Sequence, residues 1–89
     1  MIINFKNIQV SNNLPISIIA GLNVFEDLEM AYSVASKLKE ITAKLNLPFI
    51  FKASFDKANR SSVKSYRGPG LDIGMKNFSE IKKTLDIPI

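Results

Sequence analysis

Residues 51–70 read FKASFDKANRSSVKSYRGPG, and the architecture turns on how they are interpreted. A short apolar run reaches Lys52 and passes into a long polar segment that closes on two glycines, the mark of a buried strand ending in a loop. Between positions 52 and 67, five cations (Lys52, Lys57, Arg60, Lys64 and Arg67) face one acid, Asp56, for a local charge of +4. The 89-residue chain as a whole also carries +4, so its other residues balance at seven cations and seven acids. The excess basicity therefore belongs to one loop, and such a loop is suited to meeting anions.

On the N-terminal side, residues 49–53 show no alternation of polarity and predict a strand buried on both faces, as do residues 16–20 after Pro15, with Gly21 ending that strand. Between them, Leu28, Ala31, Val34, Ala35, Leu38, Ile41 and Leu45 recur at three-and-four spacing and predict a helix over 28–45. Asp27 is its expected N-cap. Acids Glu26, Asp27 and Glu29 at its start and Lys37, Lys39 and Lys44 toward its end match the helix dipole. Pro48 disfavours helical dihedrals at the residue before it, so the helix should stop near Asn46.

Two such strands joined by a helix make a parallel βαβ unit with a right-handed crossover. Upstream, the β-prone runs 2–5 and 8–10 flank Lys6-Asn7 and predict a hairpin over 2–10. Downstream of the basic loop, 54–69, Leu71, Gly74, Phe78, Ile81 and Leu85 mark a second helix over 70–85, with Pro69 in its first turn and Asp86 closing it. Ile87-Pro88-Ile89 falls where a third strand is due. The fold class is α/β, and a sheet this small leaves edges and apolar surface open, so the chain reads as the opening portion of one larger domain.

Composition sets the outer bounds. A content of 46% hydrophobic and 22% charged residues fits an ordinary globular domain. The longest apolar run, 18–22, falls far below the roughly 20 residues a membrane-spanning helix needs. The opening MIINFKNIQV has neither a basic leader nor a continuous apolar segment, so a cytoplasmic location is expected. There is no cysteine, which excludes disulfides and thiolate metal sites. Nor is there histidine. Any chemistry must use lysine, carboxylate, amide or hydroxyl groups, or residues outside this chain.

The stretch FKASFDKANRSS, followed by SYRGPGL and GMK, resembles the 3-deoxy-D-manno-octulosonate 8-phosphate synthases, together with the upstream NNLP, GLNV and LPFIFK. The resemblance covers nearly the whole chain. It implies a condensation of phosphoenolpyruvate with D-arabinose 5-phosphate that releases inorganic phosphate. It further implies a homotetramer of (β/α)8 barrels, of which these residues would supply a bottom-closing hairpin and the first two βα units, truncated at the start of strand 3. A typical barrel has about 250 residues. The related heptulosonate 7-phosphate synthases of aromatic biosynthesis have a loop resembling Lys-Pro-Arg-Thr-Ser, whereas Ala58-Asn59 stands here in place of a proline and favours the octulosonate enzymes.

By the same resemblance, Lys52 and Ser54 face phosphoenolpyruvate, Lys57 and Asn59 lie near the reacting centre and the acceptor sugar, and Arg60 with Ser61 holds the sugar's phosphate. Arg67 is a further candidate. Asn23 stands where metal-dependent members carry a cysteine, so a metal-independent enzyme without a cofactor is expected, an amide being a poor ligand for a soft divalent ion. Taken alone, the same residues also fit blander readings. A charge run is often a solvated face, Arg67 with Gly68-Pro69-Gly70 can simply shape a turn, and Asn23 can cap a loop. Phe51, Phe55 and Tyr66, interleaved with cations, also match a small module that stacks single-stranded nucleic acid, but the strand-loop-helix context explains the same residues, so no nucleic-acid partner is expected, and no membrane partner either.

Overall fold

The computed structural model describes residues 1–55, 68 and 70–89. Helix α1 spans Leu28–Lys44. Asp27, in extended conformation, caps it by accepting the Met30 N–H at 2.7 Å. The helix ends one residue before the expected boundary, and the local cause is Asn46 rather than Pro48 alone. Asn46 adopts φ +56°, its N–H bonds to Ala43 and the Leu47 N–H bonds to Thr42, the paired closure of a left-handed helix end. The Pro48 carbonyl instead accepts from Ile18 at 2.8 Å and begins the sheet.

Strands β1 (Ile3–Phe5) and β2 (Ile8–Val10) form an antiparallel hairpin that turns through Lys6 at φ +54°. Strands β3 (Ile18–Gly21) and β4 (Phe49–Lys52) are parallel, in register from Ile18 opposite Phe49 to Gly21 opposite Lys52. β3 thus starts two residues later than the sequence predicts, because nothing before Ile18 has a partner on β4. Gly21 is its last residue, so the strand ends where expected, with the glycine inside it. β4 stops at Lys52, one residue short of the expected 53. Helix α2 covers Leu71–Leu85, with Gly70 as N-cap and Asp86 closing it at φ +52°. Its first turn starts at Leu71; Pro69, expected in that turn, lies outside the described residues.

Both helices lie on one face of the parallel pair. Phe25, Ala31, Ala35, Phe49, Phe51 and Ile81 are buried there, with Leu85 and Ile87 below them and Ile18 and Ala20 packed against them. Lys39 on α1 donates to the Leu85 carbonyl at the end of α2 and ties the two helices together.

The expectation of strands buried on both faces is overturned. Side chains alternate along a strand, and on the face away from the helices Ile19 is 62% exposed and Lys52 is exposed. That face has no covering layer among the described residues. The hairpin lies beside its lower end, where Ile3, Val10, Ile16, Ile19 and Ile50 line a space of about 550 Å³. Along the outer edge of β4, the Phe51 N–H donates to the Pro88 carbonyl at 2.9 Å, so the last residues run where a third strand would lie. Among the described residues no helix is long and apolar enough to cross a membrane.

Candidate functional site

The carboxyl ends of β3 and β4 meet at Gly21 and Lys52. A β-carbon on Gly21 would stand 1.8 Å from the Lys52 carbonyl oxygen, so a side chain there would force the two strand ends apart. Beyond this pair the two segments stay joined by backbone bonds. The Leu22 N–H donates to Lys52 at 2.9 Å and the Phe25 N–H to Ser54 at 2.8 Å. Asn23 sits, exposed, between those two rungs. Lys52 projects from the bare face of the sheet, and half-buried Ser54 follows two residues later. Three of the candidate residues, Asn23, Lys52 and Ser54, thus share one end of the sheet. Ligands of open parallel α/β sheets gather at the carboxyl ends of the strands.

The segment from 56 to 69 leaves and re-enters at a fixed base. The Gly70 N–H donates to the Phe55 carbonyl at 2.9 Å, so the two ends of the segment are bonded to each other. Gly70 holds φ +89°, a left-handed conformation that favours glycine. Lys57, Asn59, Arg60, Ser61 and Arg67 lie outside the described residues. Their order in the sequence puts them all between those bonded ends.

Aromatic packing beneath this site is not legible in the sequence. Phe25 is fully buried and meets Phe78 of α2 edge-on at 5.3 Å, and Phe55 meets the same ring at 6.4 Å. Phe51 is fully buried as well. Two of the three aromatics that match stacking surfaces for nucleic acid are therefore structural, which corrects that reading for Phe51 and Phe55; Tyr66 lies outside the described residues. In the sequence, Gly74 is visible only as one of the helix's core-facing positions. The contact of these residues spans positions 25 to 78, a separation at which local pattern carries no signal.

The sequence profile of the DAHP synthetase I family matches residues 1–89. Among curated relatives, the 2-dehydro-3-deoxyphosphooctonate aldolase of Pseudoalteromonas translucida is 56% identical over 88 residues. Proteins of the same name from Shewanella sp. strain ANA-3 and Shewanella baltica strain OS155 are 52% and 51% identical. Each match takes in 99% of this chain and 31% of the relative, so the chain spans about a third of the length of the curated relatives it matches.

Proposed function

Because the chain belongs to the DAHP synthetase I family, we propose that it forms the N-terminal part of a 3-deoxy-D-manno-octulosonate 8-phosphate synthase, the 2-dehydro-3-deoxyphosphooctonate aldolase of its relatives' names. The complete enzyme condenses phosphoenolpyruvate with D-arabinose 5-phosphate and water, forming the octulosonate 8-phosphate and inorganic phosphate for lipopolysaccharide biosynthesis. The observation that carries this reading is 51–56% identity over 99% of the chain to relatives of that name. The same name favours the octulosonate reaction over the heptulosonate one.

In this reading the bare face of β3 and β4 is the inside of a (β/α)8 barrel, and Lys52 and Ser54 stand at its catalytic mouth. Support comes from the parallel register, from helices confined to one face, and from the edge of β4 already bonded to Pro88. The hairpin beside the lower end of the bare face closes the barrel's bottom. Lys52 and Ser54 bind phosphoenolpyruvate, Arg60 and Ser61 bind the sugar's phosphate, and Lys57 with Asn59 acts at the reacting centre, with Arg67 as a supporting cation. Arginine offers a phosphate a planar fork of donors, whereas lysine supplies a point charge that can follow a developing oxyanion. Asn23 marks the enzyme as metal-independent. The complete protein is a cytoplasmic homotetramer that takes two small phosphorylated substrates.

The test is a chimera in which this chain replaces the matching 88 residues of the Pseudoalteromonas relative. It should release phosphate from phosphoenolpyruvate only when arabinose 5-phosphate is present. Arg60→Ala removes a charge-assisted contact worth about 1.5–3 kcal/mol. Its loss should raise the KM for arabinose 5-phosphate roughly ten- to a hundred-fold and leave phosphoenolpyruvate binding nearly unchanged. Lys57→Ala should instead lower kcat, because a cation beside the acceptor's carbonyl oxygen stabilises the charge that develops there. A folded chimera with no activity, or an Arg60→Ala variant with an unchanged sugar KM, refutes the assignment.

A further inference from the structure

Gly74 lies in the first turns of α2, directly against the residue at which the basic segment departs. A β-carbon on Gly74 would stand 2.4 Å from the Phe55 β-carbon and 3.0 Å from its ring carbon Cγ. These are distances at which one of the two must move, and the nearer neighbour is the root of the side chain rather than its flexible end. Phe55 has little room to yield, since its ring is held edge-on by Phe78 and its carbonyl accepts the Gly70 N–H. Gly70 in turn accepts the Gly74 N–H at 2.9 Å, the first bond of α2. Helix α2 has no side-chain N-cap, so backbone contacts with Phe55 fix where it starts.

The geometry points to Phe55, Gly70 and Gly74 as positioning residues: a seat that sets the spacing between the end of β4 and the start of α2, and through it the placement of Ser54 and Lys52. This rests on the synthase reading above and adds to it residues that carry no charge and touch no substrate. The physical cause is the absence of a side chain at Gly74, which lets Phe55 pack against the helix backbone. Any substituent there must lift Phe55 off the helix, lengthen its bond to Gly70 and shift Ser54, the residue before it. Small displacements of binding groups are costly to affinity and rate even when every charge is kept.

The experiment uses the chimera. Gly74→Ala should raise the KM for phosphoenolpyruvate, the substrate that Ser54 and Lys52 bind, about tenfold, while kcat and the KM for arabinose 5-phosphate change far less. Ile81→Val, a core change on the same helix away from the seat, should lower thermal stability without moving either KM. If Gly74→Ala lowers stability but leaves the phosphoenolpyruvate KM as it was, the seat is structural only and the inference fails. Phe55→Leu adds no bulk and covers a Gly74→Ala variant that does not fold; it should raise the phosphoenolpyruvate KM several-fold, and an unchanged value overturns the inference. Since Gly74→Ala and Phe55→Leu act through one seat, their effects should combine to less than the product of the two. Amide exchange at Gly70 reads the seat without activity. Its N–H should be protected in the unsubstituted chimera and lose protection in Gly74→Ala but not in Ile81→Val, and equal exchange in all three refutes the seat. An inactive chimera with a protected Gly70 would instead sink the synthase reading and leave the seat standing.

Discussion

The two faces of the parallel strands have opposite surroundings. On the helix side Phe51 is fully buried among Phe25, Ala31, Ala35 and Ile81. One residue away along the same strand, Lys52 stands in solvent, and on the same face of β3 Ile19, opposite Ile50, is 62% exposed. Neighbouring residues of one strand therefore have opposite environments. An isoleucine on a strand signals that one face needs cover, and here the cover is not supplied by the described residues. The helix face builds the fold. The bare face carries Lys52 and opens toward the carboxyl ends where the candidate site lies.

The largest effect expected from that asymmetry is on the chain by itself. With one face of its sheet uncovered and only 89 residues to bury a core, it should be marginally folded, and alone it should release no phosphate. A sharp, cooperative thermal transition of a soluble 89-residue monomer would overturn this contrast, since it would mean that the helix face suffices. A smaller effect is expected where the faces meet the site. Gly21→Ala in the chimera should cost about 1–3 kcal/mol in denaturant unfolding, because its β-carbon would overlap the Lys52 carbonyl. An unchanged midpoint would show that the strand ends have slack. The smallest effect concerns Asn23, at the same end. Activity of the chimera should be insensitive to a strong chelator, as no thiolate stands there to anchor a metal. Loss on chelation with recovery on adding a divalent ion would contradict this.

Much of this arrangement is legible in local pattern. The spacing of Leu28, Ala31, Val34, Ala35 and Leu38, with Asp27 ahead of them, predicts α1 and its cap, since both depend on residues within a turn of one another. The parallel pairing follows from two apolar runs around that helix. What cannot be read is whatever depends on distant partners. Ile19 is exposed although its run looks doubly buried, because the cover for a second face is a matter of tertiary structure. The trio of Phe25, Phe55 and Phe78 joins segments far apart in the chain, so Phe55 reads equally well as a stacking surface. The stop at Asn46 depends on a left-handed backbone that the sequence does not announce, as the proline two residues later offers a sufficient reason by itself. Of the site, Asn23, Lys52 and Ser54 are at one end of the sheet, in keeping with their positions after the two strands; the residues of the basic segment are legible by type and charge alone.

If the bare face is completed in the longer enzyme, it is core there, and Ile19 is as much an interior residue as Phe51. Denaturant unfolding of Ile19→Ala beside Phe51→Ala, both in the chimera, decides whether this is so. With the face covered, the two should be comparably costly, about 2–5 kcal/mol for Ile19→Ala and about 3–5 kcal/mol for Phe51→Ala. If Phe51→Ala carries its full cost and Ile19→Ala shifts stability by less than about 0.5 kcal/mol, as a surface change does, the face stays open to solvent and the barrel reading is wrong.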